Sequence, residues 1–183
     1  MRPDPASLPL LRRLHERVFG CDEVRAVVAA AFADLAAALE ARPRALHTMS
    51  VIPVERVLDG SIPPVEDPVR LCRLFLLRRG ARMATPERHR NSVQRLVSWR
   101  GCGRIHQAAP GDGPASVRPR EIRSPTEPSA GGSANDQELY ACWDIVPAGV
   151  WHYPEASVER DWATVTFHSA GEDQIVDELR EAR

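Results

Sequence analysis

Glu87 and His89 stand two residues apart, and on a β-strand, where side chains alternate between faces, that spacing sends both to the same side. A carboxylate and an imidazole that share a face can reach one ion, and divalent metals accept both as donors. Further along, Pro147-Ala148-Gly149-Val150-Trp151-His152 places a proline and a glycine where a chain turns tightly, with a histidine at the start of the next segment. The absent residue types are equally informative. All 24 residues counted as lysine or arginine are arginine, so Schiff-base chemistry and a Walker-type phosphate loop, which each need a lysine, are excluded.

The second segment matches the P-x-G-x-x-H core of the second cupin motif, and through it the chain resembles the cupin superfamily over residues 69–170. The first cupin motif, G-x5-H-x-H-x3,4-E-x6-G, has its counterparts in Gly80, Glu87, His89, Gln94 and Gly101. The intervals from Glu87 to Gly101 fit, while Gly80 lies one residue too far upstream. Glu87 stands where the family has its first histidine, and Gln94 where it has its glutamate. Ala141 and Ala156 stand where a glycine and an asparagine are usual in the second motif.

The resemblance implies a small single-barrel cupin binding one divalent metal ion, with His89, His152, Glu87 and Gln94 as its ligands. Two strand registers are open. In one, Glu87, His89 and His152 form a two-histidine, one-carboxylate set, with Gln94 as a weak fourth ligand or a hydrogen-bond partner. In the other, His89, Asn91 and Gln94 face the cavity and Glu87 lies in solvent. The first supplies an anion and is the expectation. That ligand set leaves coordination positions open, as in non-haem Fe(II) oxygenases, so Fe(II) is favoured, with Zn(II), Ni(II) or Mn(II) as other occupants. The implied function is a metal-dependent enzyme, an Fe(II) dioxygenase or other oxidoreductase, acting on a small organic substrate. The alternatives are a non-redox lyase, isomerase or cyclase in which Glu87 is the catalytic base, and a ligand-binding or sensory barrel.

Residues 70–104 hold ten arginines against one acidic residue, Glu87. The bland account of such a run is a solvated rim. The functional one is that Arg82, Arg88 or Arg95 holds a carboxylate or phosphate of an anionic substrate. His168, alternating with Thr164 and Thr166, is a further candidate for the substrate cavity. Of Trp99, Trp143, Trp151 and Trp162, most are expected in the core.

These residues need a scaffold to bring them together. Leu11, Leu14 and Val18, then Val24, Val28, Phe32, Leu35 and Leu39, recur at helical spacing, with Gly20-Cys21-Asp22 as a stop and an N-cap between them. Residues 1–49 therefore read as a helical hairpin packed on a barrel. Past Pro43 the pattern changes to short strands at 50–58, 69–77, 93–99, 104–107, 138–146 and 162–168, with a turn at Ser61-Ile62-Pro63-Pro64. The fold class is mainly β: a cupin-type jelly-roll β-barrel over residues 50–170 with an N-terminal helical hairpin. A Pro-, Gly- and Ser-rich loop at 108–136 is expected to be partly disordered, and Ile175, Val176 and Leu179 suggest a short C-terminal helix within 171–183.

A hydrophobic fraction of 43% with a formal net charge of −1 fits a globular chain and argues against a nucleic-acid partner held by bulk positive charge. No apolar run reaches the roughly 20 residues of a membrane span, and the amino terminus lacks a secretory pattern, so a cytoplasmic protein without a membrane partner is expected. Cys21, Cys72, Cys102 and Cys142 form no C-x-x-C pair and are expected to be reduced thiols. The expected partners are a small-molecule substrate and, from the resemblance and the edges of a partly open barrel, a second copy in a homodimer.

Overall fold

The structure is a computed structural model that describes residues 3–58, 68–113, 115–125 and 134–180. Helix α1 spans Leu8–His15 and α2 spans Asp22–Glu40, joined by a π-helical turn at Glu16–Gly20. Strands β1 (His47–Ile52), β2 (Leu71–Leu77), β3 (Glu87–His89), β4 (Gln94–Arg100), β5 (Cys102–Gln107) and β6 (Arg118–Arg123) follow. After α3 (Asp136–Cys142) come β7 (Trp143–Val146), β8 (His152–Ala156), β9 (Trp162–His168) and β10 (Asp177–Leu179). They form two antiparallel five-stranded sheets, ordered β1-β2-β9-β4-β7 and β10-β3-β8-β5-β6. From β2 to β9 successive strands alternate between the sheets, except that β5 and β6 form a hairpin in the second, and this is the order of a jelly roll, which is the fold of this chain.

Both faces of the first sheet are covered, and its sequence shows why. On β9 all seven residues are buried: Ala163, Val165 and Phe167 meet the helices, while Trp162, Thr164, Thr166 and His168 face into the barrel. The same division holds on β2, where Cys72, Leu74 and Leu76 lie under the helices and Arg73 and Phe75 face inward. Helix α2 supplies Val24, Val28, Phe32, Leu35 and Leu39 to that outer contact, the five positions its spacing predicts. Each such side chain contributes about 1.5–3 kcal/mol when fully buried, so the helices belong to the core. They contact other elements more than each other: α1 lies against α3, and α2 against β1 and β2. Cys21, extended and without a side-chain cap bond, precedes α2, and Asp22 is its first residue and pairs with Arg25 at 2.7 Å.

Four expectations need correction. The closing segment is not a helix within the described residues: β10 pairs with β3, and Arg88 holds Glu178 at 2.8 Å across that pair. The free edge of β3 supplies backbone partners, whereas a short isolated helix must meet its nucleation cost alone. The strand expected over 138–146 is divided, because Asn135 caps α3 by accepting from the Glu138 amide and turns Leu139 and Cys142 inward. The loop at 108–136 contains β6, a charged edge strand that pairs fully with β5. The sheet also begins at His47 instead of residue 50. The turn expected at 61–64 lies outside the described residues. The four cysteines are unpaired.

Two features of the packing are testable. A Cβ on Gly103 would meet the buried Trp162 ring at 2.2 Å, so Gly103→Ala forces the ring or the β5 backbone to move. Overpacking of this kind costs about 1–3 kcal/mol, and a urea midpoint unchanged from the parent would refute the close approach. The second concerns His15, whose Nδ1 accepts a 3.2 Å hydrogen bond from Trp143 Nε1. Burial, reinforced by the Arg12 charge, lowers its pKa to about 4. The unfolded chain therefore takes up this proton first, and stability is lost as pH falls from about 6.5 toward 4, by up to about 1.4 kcal/mol per pH unit for each such group. Urea unfolding at pH 7 and pH 5 should show the loss. His15→Leu should be less stable at pH 7, with a shallower decline on acidification.

Candidate functional site

The site forms where β3 meets β8. Glu87 sits directly opposite His152 in the β3–β8 pairing, and the period of two sends His89 to the same face. The ligand atoms of Glu87, His89 and His152 all lie within 4.8 Å of one another. Gln94 reaches them from β4 in the opposite sheet: its Oε1 is 2.8 Å from His89 Nε2 and 3.0 Å from His152 Nε2. The Glu87 contact is looser, with Oε1 3.7 Å from His152 Nε2. The alternative register is excluded, because Asn91 turns away to bond Gln174 and Val176 before β10.

The turn before β8 has a local cause. Gly149 adopts φ +76°, a conformation glycine enters without strain, and Val150 N donates to Pro147 O at 3.2 Å to close the turn. Gly149 N also donates to the His89 carbonyl at 2.7 Å, so the turn that delivers His152 is fastened to the strand that carries His89.

Hydrogen bonding orients both imidazoles. His89 Nδ1 lies 2.5 Å from Asp177 Oδ1 on β10, which leaves Nε2 turned toward Gln94. His152 Nδ1 lies 3.2 Å from the Val150 carbonyl, an acceptor, so its proton belongs there and Nε2 presents a lone pair. Burial, and next the electrostatic effect of the neighbouring His89, lowers the His152 pKa to about 3, which keeps the ring neutral. Burial raises the pKa of Glu87 against the opposing effect of His89. Imidazole nitrogens, an amide oxygen and a carboxylate oxygen thus converge on one point. Such a set repels itself unless a cation or a donor lies among its members, and a divalent ion fits it. Turning the Gln94 amide over would let its NH2 donate to both imidazoles.

The donors open onto a cavity of about 440 Å³. Phe75, Met83, Leu96, Ile105 and Trp162 supply apolar wall, and Thr164 and Thr166 supply hydroxyls. His168 is among its lining residues, with its ring centroid 4.9 Å from that of His89. Burial, then the nearby His89, lowers the His168 pKa to about 2.

The arginine expectations fail on geometry. Arg95 is on the face of β4 opposite Gln94 and Leu96, 2% exposed on the helix side, where burial lowers its pKa to about 10. Arg82 lies outside the cavity, over the Tyr153 ring at 4.6 Å with a guanidinium nitrogen 2.5 Å from the tyrosine hydroxyl. Arg88 is engaged by Glu178 and stacks on Trp151 at 4.6 Å. The arginine that lines the cavity is Arg73. Its signal was present in Leu71-Cys72-Arg73-Leu74-Phe75-Leu76-Leu77, where one charge interrupts an otherwise apolar strand. Asp177 was missed because its segment read as a helix.

No family model matches the chain, and no curated protein matches it. Solved structures do. The pro-11S globulin of pumpkin is 16% identical with a TM-score of 0.48, over 73% of this chain and 28% of that one. The capsular polysaccharide assembling protein CapF from Staphylococcus aureus is 11% identical with a TM-score of 0.45, over 74% and 35%. Vicilin from Corylus avellana (hazelnut) is 15% identical with a TM-score of 0.42, over 60% and 25%. The chain spans about a quarter to a third of the length of these proteins. At such identities and scores they bear on neither chemistry nor ligand, and the jelly-roll assignment stands on the strand order of this chain.

Proposed function

We propose that the chain is a metal-dependent enzyme of the cupin kind, with one divalent ion held by Glu87, His89 and His152, Gln94 as a fourth donor, and a small organic substrate in the adjoining cavity. The observation that carries this reading is the convergence of those donor atoms within 4.8 Å at the wall of a cavity large enough for a metabolite. Two imidazoles and one carboxylate favour Fe(II), and with it an oxidoreductase, a dioxygenase in particular; Zn(II), Ni(II) and Mn(II) accept the same donors. The ion would supply Lewis acidity or one-electron chemistry at its open positions.

The chain's own residues divide the remaining work. Asp177 fixes the His89 ring, and the Val150 carbonyl fixes His152, so both present Nε2. The apolar walls exclude water, and the threonine hydroxyls orient polar groups of the substrate. A second, non-redox reading, as a lyase, isomerase or cyclase, is favoured by one feature: Glu87 has the loosest contact of the donors and is half-buried, so it can hold a proton at Oε1 as a general base. No helix among the described residues is long and apolar enough to cross a membrane. Exposed Met49 and Val51 on the edge strand β1 are where a second copy would add to form the proposed homodimer.

His152→Ala should abolish stoichiometric metal binding and leave the far-ultraviolet circular dichroism unchanged, since Pro147 and Gly149 set the turn. Full occupancy by metal analysis would refute the ligand assignment. Glu87→Gln should weaken metal binding at least about tenfold, whereas Gln94→Glu should keep the ion bound or tighten it. Equal affinities for parent and Glu87→Gln, measured by competition with a chromophoric chelator, would remove Glu87 from the ligand set. Oxygen consumption by the Fe(II)-loaded protein with candidate acids separates the redox reading, which requires it, from the non-redox one.

A further inference from the structure

The charged side chains that line the cavity among the described residues are Glu87, Asp177 and Arg73. Asp177 is engaged by His89, and Glu87 faces His152. Arg73 differs from them: its charge is felt at Glu87 and at His168, but its Nε is buried without a hydrogen-bond partner and it has no salt bridge among the described residues. A second buried polar atom in the same cavity is also without a hydrogen bond, Nδ1 of His168. The two residues lie diagonally on neighbouring inward-facing strands, because Arg73 pairs with Thr166 and Leu71 with His168. Leaving a buried donor unmade is costly, and a guanidinium is the side chain best suited to a carboxylate.

From this placement we propose that Arg73, with His168 beside it, is the anion subsite of the cavity, and that the substrate is a small monocarboxylate with an apolar body. The proposal rests on the metal-dependent reading only in taking the cavity to be the site of reaction. The carboxylate is received at Arg73 and at the Nδ1–H of His168. The apolar part lies against Phe75, Leu96 and Trp162, and the carboxylate end lies beside the metal donors, because His168 packs on His89 and pairs with Gln94. Arg73 on β2 and Gln94 on β4 are separated by β9, so their strands are about 10 Å apart across the sheet, and both line the same cavity. The charges agree as well. Glu87 and Asp177 offset a divalent ion, and Arg73 remains as one positive charge for one carboxylate to match.

The test compares benzoate with benzamide, and phenylacetate with phenylacetamide, by calorimetry and thermal shift on the full chain, once with Zn(II) bound and once after chelation. At least one acid should bind the Zn(II)-loaded parent about tenfold or more tightly than its amide, and the preference should shrink after chelation, when Glu87 and Asp177 are no longer offset. Arg73→Met should lose that preference while keeping its metal content. Arg73→Lys, which retains the charge if the longer truncation disturbs folding, should keep part of it, and Arg88→Met should keep all of it. The proposal is overturned if neither acid is preferred to its amide, or if the preference survives in Arg73→Met with Zn(II) bound, which would make the carboxylate a metal ligand. Failure of the metal-dependent reading is seen separately, as a parent that prefers the acids and binds no metal.

Discussion

The hydrogen bond from Gly149 N–H to the His89 carbonyl is the constraint on which the site depends. It joins the end of a three-residue strand to a turn sixty residues later in the chain. Strand β3 is too short to hold its register by ladder bonds alone; it pairs at one residue with β8 and at three with β10. The turn therefore acts as a clamp, and glycine's freedom at positive φ lets the backbone come that close. With β3 fixed, the period of two places Glu87 opposite His152 and His89 beside both. The same geometry turns Asn91 out toward Gln174 and Val176.

A clamp of this kind needs a rigid wall opposite it, and the first sheet provides one. Strand β9 is buried throughout because helices cover its outer face and the barrel encloses its inner one. The inner face can then carry Thr164, Thr166 and His168 without losing the strand, since Val165 and Phe167 supply the packing from behind. Gln94 benefits likewise: it sits at the start of β4, paired with His168 on one side and Val146 on the other, and so reaches across the barrel from a fixed base. The N-terminal helices thus contribute to the site without touching it.

Much of this was legible in the residues. The five apolar positions of α2, the alternation of β9 and the Pro-Gly turn before His152 each follow from local chemistry, and each is where its spacing put it. What was illegible depended on partners distant in sequence. Residues 175–179 carry a helical spacing of apolar residues, yet the unpaired edge of β3 recruits them as a strand. Residues 118–123 are charged and contain Pro119, a poor strand signal, yet β5 offers a complete edge. The arginines show the same limit more sharply. Type and density pointed to residues 70–104, but one residue of register decides whether a guanidinium meets the cavity, the solvent or the helices, and Arg95 differs from Gln94 by that one step.

On the metal-dependent reading proposed above, the exchange of ligand types between Glu87 and Gln94 has a physical logic of its own. In the pattern the chain resembles, the carboxylate comes from the position of Gln94, on the sheet opposite β3. Here it comes from β3 itself, next to the solvent-facing end of the site, and an amide faces the two histidines. A neutral donor between two buried imidazoles avoids placing an anion in the most enclosed part of the barrel, where desolvation is costly. The carboxylate is placed where it remains half-buried, close enough to His152 to share an ion and exposed enough to exchange a proton with the cavity. The consequence is a site whose negative charge lies on one sheet, at Glu87 and Asp177, while Arg73 faces it from the other. That polarity crosses the cavity, and it would orient the proposed monocarboxylate.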